Sequence, residues 1–359
     1  MTTSNSTRRK VRILLALVVS LAVSLSAVRA QSAGAVLFVP FEPGAARFSI
    51  WRVSADGSAR KLLEFEQDLD AAMCYGSTRP EPSPNQEWLA LIEKNDLWLL
   101  NIATGSRLRV TQVGKQSDER FASVLVRIVG WFPEGDGVLF YVTHGLLEDV
   151  EGEREDLLIR PEAYGFYLYD LNTSSKAQVT IPYCVESLLP SRQLLVRNED
   201  SWYGPLLRYA PRTGGLEGIA EGGSHYSQLT TDSSGQRLLA SITQKADPEK
   251  SQIVLIEVAT RKQAALTPSG DFAEYQWPRF SPAGNKIAYL RRMGQVSPGY
   301  PVMALVVEGR EIARCENYAD HRWVSDSAVL FACQGIMRVL DVDSGQEKGV
   351  HQLRSDTVN

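Results

Sequence analysis

The chain has 359 residues, and its 38 Lys and Arg against 42 Asp and Glu leave a formal net charge of −4. The two signs are interspersed, so no basic field points to a nucleic-acid partner. Four cysteines are too few for a disulfide-dense scaffold, and a hydrophobic content of 44% is enough for a large core.

The first element is a leader. Arg8, Arg9, Lys10 and Arg12 precede an apolar run from Ile13 to Ala27, and Val28-Arg29-Ala30 closes it. A basic start, an apolar stretch of about 15 residues and small residues three and one before the cut describe a secretory signal peptide. The run falls short of the roughly 20 residues that a membrane-spanning helix needs. Residues 1–30 are therefore expected to be removed, with Gln31 as the mature N-terminus and residues 31–359 as one domain. The expected product is exported, periplasmic or extracellular, and not an integral membrane protein after cleavage.

From residue 35 onward a unit recurs, made of a strand, a polar turn, and three further strands. Seven copies can be followed. Unit one, residues 35–65, lacks an obvious first strand. Unit two turns at Ser83-Pro84-Asn85-Gln86, and unit three is centred on the run from Val126 to Val142. Unit four contains "CVESLLPSRQLLVRN" and unit five "YSQLTTDSSGQRLLASI". Unit six turns at Ser281-Pro282-Ala283-Gly284, and unit seven holds "HRWVSDSAVLFAC". Apolar positions such as Leu89 and Leu91, or Val138, Phe140 and Val142, suit strands packed between neighbouring sheets. Pro, Asn, Asp and Gly supply the turn geometry between them. Trp131, Phe280 and Trp323 end first strands and are expected to fill the wedge between adjacent sheets.

Four-stranded repeats with a period of 40–50 residues read as blades, so the fold class is all-β, a single β-propeller of seven four-stranded blades, with six as the alternative. The C-terminal "VHQLR", residues 350–354, is expected to supply unit one's missing strand and close the ring. Closure removes the open strand edges that invite aggregation.

The stretch "FSPAGNKIAY", from Phe280 to Tyr289, resembles the WD-like repeat of TolB-like propellers. The same repeat type occurs in the propeller domains of prolyl oligopeptidase relatives. The resemblance implies that loops joining second to third strands, and each blade to the next, share one face where ligands are met. On that face the longest insertion runs from His144 to Tyr164 and carries Glu148, Asp149 and Glu151 among its acidic residues. Its spacing lacks the pattern of a Ca²⁺ loop. Trp202 and Tyr203, in the polar context "NEDSWYG", and Tyr300 are the candidate aromatic anchors.

His225 and His321 fall on or beside first strands, with His144 on a distant loop, and a hydrogen-bonded structural role at the channel wall is expected for them rather than metal ligation. No Gly-x-x-x-x-Gly-Lys loop, Cys-x-x-Cys pair or Gly-x-Ser-x-Gly elbow occurs. No catalytic residue, resident metal or cofactor is therefore expected. The cysteines suggest a bridge from Cys315 to Cys333 across one hairpin of unit seven, with Cys74 and Cys184, in non-adjacent units, left free. The functional expectation is an exported, non-catalytic propeller binding a protein or cell-envelope component through its loop face. A metal-assisted polysaccharide lyase or hydrolase acting at the channel mouth is the alternative.

Overall fold

The structure, a computed structural model, describes residues 35–39, 47–66, 71–72, 76–112, 124–144, 164–198, 201–268, 274–297, 300–317 and 319–353. The expected signal peptide lies outside them. Among the described residues no helix is long and apolar enough to cross a membrane. Seven antiparallel sheets follow one another along the chain, and within each blade strand order is sequence order. The six-bladed alternative falls away. The inner strands of blades two to seven are Glu81–Pro82, Val124–Trp131, Cys184–Leu189, Ser224–Thr231, Glu274–Phe280 and Ala319–Ser325.

Alternation on each strand sends one set of apolar side chains to each neighbouring blade, so the core is a series of layers between sheets. Ala90, Leu97 and Leu99 of blade two meet Val126, Val138 and Phe140 of blade three. Leu195 and Ile219 of blade four likewise meet Leu238 and Ile256 of blade five. Trp131 and Trp323 are buried in such layers. Each indole also donates a hydrogen bond to the preceding blade's inner strand, Trp131 Nε1 to Glu81 O at 2.8 Å and Trp323 Nε1 to Arg279 O at 3.1 Å. Phe280 is partly buried between blades five and six, with the Arg237 guanidinium 5.1 Å above its ring.

The turn after each inner strand explains the repeated Ser and Asp. Ser83 and Ser281 are buried, and their hydroxyls accept from Trp88 N at 2.9 Å and Lys286 N at 3.2 Å. Asp232 does the same work in blade five, accepting from Gln236 N at 3.1 Å. A short side-chain acceptor thus satisfies backbone donors that the hairpin leaves unpaired.

Three details depart from the sequence reading. Among the described residues blade one has three strands, Ala35–Phe38, Arg47–Ser54 and Ala59–Glu66, and residues 350–353 of the stretch expected to complete it do not pair with it. Instead Glu347–Gln352 folds back on Ile336–Asp341 as the outer strand of blade seven. A hairpin with the adjacent segment closes a far shorter loop than a pairing across the ring. Closure is made by face packing, with Val36, Phe38 and Val53 of blade one against Leu330, Met337 and Val339 of blade seven. At the seam His351 Nε2 lies 2.7 Å from Gly57 O. Gly57 has φ +91°, and a Cβ there would lie 2.3 Å from Lys348 O.

The connection from blade one to blade two supplies the second departure. Gly76–Ser77 pairs along the inner edge of blade three, Ser77 opposite Ile128, and Ala71–Ala72 pairs beyond it. This extends the sheet of blade three to six strands and brings the connection towards the propeller axis. Gly76 approaches so closely that a Cβ would lie 2.2 Å from Ile128 O.

The cysteines are the third departure. Cys315 and Cys333 form a disulfide with Cα atoms 5.9 Å apart. Cys315 ends the outer strand of blade six, opposite Met303, while Cys333 ends the second strand of blade seven, opposite Ala319. The bridge therefore joins two blades rather than the ends of one hairpin. Cys184, expected to be free, is disulfide-bonded as well. The remaining cysteine of the chain, Cys74, lies outside the described residues.

Candidate functional site

The segment 198–205 joins the second and third strands of blade four, Gln193–Arg197 and Leu206–Ala210. It is tied down by its own backbone. Gly204 N donates to Ser201 O at 3.0 Å, and Gly223 N, at the entry to blade five, donates to Tyr203 O at 2.8 Å. Lys245 N, in the corresponding turn of blade five, donates to Gly223 O at 3.2 Å. The loop is therefore held as a ledge across two blades.

On this ledge Trp202 is 42% exposed and Tyr203 is half-buried. The edge of the indole meets His225, on the inner strand of blade five, at 5.2 Å between centroids and 79° between planes. Tyr203 approaches the same imidazole at 6.3 Å. Beneath the indole sits the Arg197 guanidinium, 4.5 Å from the ring centroid. Arg197 is buried and its Nε donates to Glu186 Oε1, on the inner strand of blade four. A cation held by its own carboxylate under an aromatic face fixes the ring's orientation.

The electrostatics follow from this enclosure. Burial pushes the Glu186 carboxyl above its ordinary range, while its hydrogen bond and charge interaction with Arg197 oppose that. His225 is pushed down, first by burial and then by the neighbouring Arg197. The imidazole is thus kept neutral near pH 7 and packs as an aromatic surface. What faces outward is an apolar ring on a polar support, the arrangement of an anchoring residue.

The other sequence candidates fall elsewhere. Tyr300 begins the third strand of blade six, two blades away, and its side chain lies outside the described residues, as do Glu148, Asp149 and Glu151. His225 and His321 stand in blades five and seven and are not brought together. His321 is fully buried on the inner strand of blade seven, against the backbone of Ala288 in blade six. Among the described residues no group of three or more His, Cys, Asp or Glu converges as a metal site.

One exposed aromatic went unread. Trp277 is 46% exposed on the inner strand of blade six. It sits in a bulge where the register jumps from Gln276 to Arg279, with φ 54°, and its N–H donates to Gln228 Oε1 in the matching bulge of blade five. The following Pro278 was the available signal, since proline interrupts a ladder and marks bulges.

No protein-family model matches the sequence, and no curated protein matches it. Among solved structures, the chain is similar to TolB from Acinetobacter baumannii, with a TM-score of 0.50, 16% identity, and 78% of this chain aligned to 62% of that one. It is similar to an uncharacterized protein from Listeria monocytogenes, with a TM-score of 0.52, 11% identity, and 92% and 94% of the two chains covered. It also matches a prolyl endopeptidase, with a TM-score of 0.52 and 13% identity, over 90% of this chain and 49% of that one. The chain thus spans less than two thirds of the TolB chain and about half of the endopeptidase. These identities establish a shared propeller fold and nothing of activity.

Proposed function

We propose that this is an exported, non-catalytic β-propeller that binds a protein or a cell-envelope component through the loop face. Trp202 and Tyr203 are the central anchors. Tyr300, two blades away, and the acidic Glu148, Asp149 and Glu151 of the insertion from His144 to Tyr164 contribute further contacts. The observation that carries the reading is Trp202, a large aromatic left 42% exposed yet held in place by Arg197 and His225. Orientation set before binding reduces the entropy lost on association, which is how a small aromatic patch supports affinity.

The test is affinity capture from the envelope of the native cell, using secreted protein whose intact mass shows a start at Gln31. Trp202→Ala and Tyr203→Ala are expected to weaken retention of one specific partner at least tenfold, about 1.4 kcal/mol each, while the melting temperature stays unchanged. A partner retained equally by both variants would overturn the role of this face. Secreted protein still carrying residues 1–30 would overturn the cleavage.

A further inference from the structure

The inner strands of blades five and six carry a feature that the loop ledge does not use. Each is interrupted at mid-length by a bulge, between Ser227 and Thr230 in one and between Gln276 and Arg279 in the other. Gln228 and Trp277 sit in these bulges at φ 53° and 54°, in the left-handed region. For a residue as bulky as tryptophan that conformation is costly, and it persists only where the surroundings enforce it. Blade five enforces it at two points. Trp277 N donates to Gln228 Oε1, and Thr230 Oγ1 donates to Pro278 O at 3.0 Å.

This clamp holds an indole that the fold itself leaves unused. Trp277 is 46% exposed although it stands in the middle of Glu274–Phe280, away from both ends of the strand. The free edge of an inner strand faces the propeller axis, so the ring is presented to the axial channel. Other tryptophans are committed to the protein. Trp131 and Trp323 donate Nε1 to backbone carbonyls, and Trp202 is backed by Arg197. Among the described residues Trp277 has no ring or cation against it, and its Nε1 donates to no group. The side-chain amide of Gln276 and Nε2 of Gln228 are likewise without hydrogen-bond partners among the described residues. A strained backbone, a clamp from the neighbouring blade and an open ring mark a residue held ready for a ligand rather than packed for stability.

We propose that Trp277, with Gln276 and Gln228, forms an axial binding site for an all-equatorial pyranose of a β-linked glycan. The groups present select that chemistry. The indole offers a flat apolar face, and an all-equatorial pyranose presents its axial C–H bonds as an apolar face of similar size. Around the rim of the same sugar ring stand hydroxyl groups, each able to donate and accept. They meet the indole N–H, which needs an acceptor, and the two amides, which supply donors and, at Gln276, an acceptor. An apolar side chain of a peptide would cover the indole but leave these polar groups desolvated and unmet. The site is separate from the Trp202 ledge, which takes its support from blades four and five.

Tryptophan-¹⁵N-labelled protein would be titrated with cellotriose, with a tripeptide of alanine and leucine, and with mannitol, which carries hydroxyl groups but no ring face. The Nε1–H signal of Trp277, assigned by its disappearance in Trp277→Phe, reports occupancy. A saturable shift is expected with cellotriose and none with the tripeptide or mannitol. Gln228→Ala removes one point of the clamp and leaves the indole in place, and is expected to weaken cellotriose binding by about tenfold with the melting temperature unchanged. Absence of saturation with cellotriose in the wild-type protein would overturn the site, independently of whether any variant folds. Tighter binding of the tripeptide would overturn the glycan in favour of a peptide, and an equal response to mannitol would overturn stacking on the sugar ring. In Trp202→Ala the cellotriose shift is expected unchanged, and its loss would show that the axial indole is not a separate site.

Discussion

His321 carries a pH dependence that its surroundings dictate. Burial, and next the Arg279 guanidinium, lower its pKa from the ordinary 6.5 to about 3. The unfolded chain therefore binds a proton that the folded chain refuses between those values. Its contribution to stability is complete above about pH 6.5 and is lost as the pH falls towards about 3. Between pH 6.5 and 4.5 the wild-type protein should lose roughly 2 kcal/mol more than His321→Leu. Urea denaturation at each pH checks this. His225, also pushed down, acts in the same sense, so His225→Gln is the control. A second residue-scale prediction concerns Arg197, whose removal strands Glu186 in a buried setting. Arg197→Met should destabilise by about 3–5 kcal/mol, and adding Glu186→Leu should recover most of the loss. A double-mutant cycle would expose additive, independent effects if the pair does not act as one unit.

At the scale of the strand and turn, local chemistry was readable. The Ser83 and Ser281 turns and the Asp232 turn were visible as polar punctuation, because each satisfies its donors within five residues. The Trp277 bulge was legible only through Pro278, since the apolar and polar pattern around it does not itself mark the register jump. The disulfide between Cys315 and Cys333 lies between two elements, joining blade six to blade seven with a sequence separation of 18. The chain entropy removed from the unfolded state for such a loop corresponds to about 3 kcal/mol. Cys315→Ala with Cys333→Ala should lose stability of that order in guanidinium denaturation without reductant. An unchanged midpoint would mean that the layer between these blades, including Met303, Leu305 and Phe331, holds without the staple.

For the whole molecule the weak line is the seam between blades one and seven. Among the described residues it has no shared strand; the apolar layer of Val36, Phe38 and Met337, the contact of Gly57 with residues 348–349 and the approach of His351 to Gly57 O hold it. Gly57→Ala forces a methyl group into the backbone of Lys348, at a φ that non-glycine residues adopt at a cost. Hydrogen exchange should accelerate in blades one and seven while blade four keeps its protection. Uniform acceleration around the ring would show instead that the propeller opens as one cooperative body.

The candidate site divides along the same line as the fold. Trp202 and Tyr203 could be singled out because exposed aromatics in a polar run are unusual. Their support by Arg197, Glu186 and His225 could not, since these residues come from three strands of two blades. The sequence alone determined that strands alternate and where they turn, and it favoured seven blades over six. These depend on side-chain period and on contacts within a few residues, where the chain has little freedom to pair otherwise. Only the tertiary structure decided that residues 347–352 stay on their own blade, that Gly76–Ser77 adds to blade three, and that Cys315 meets Cys333 across blades. It likewise placed Arg79 beside Asp320, 241 positions apart in sequence. Such pairings compare the free energies of distant partners, and burial between blades, which no local pattern encodes, selects among them.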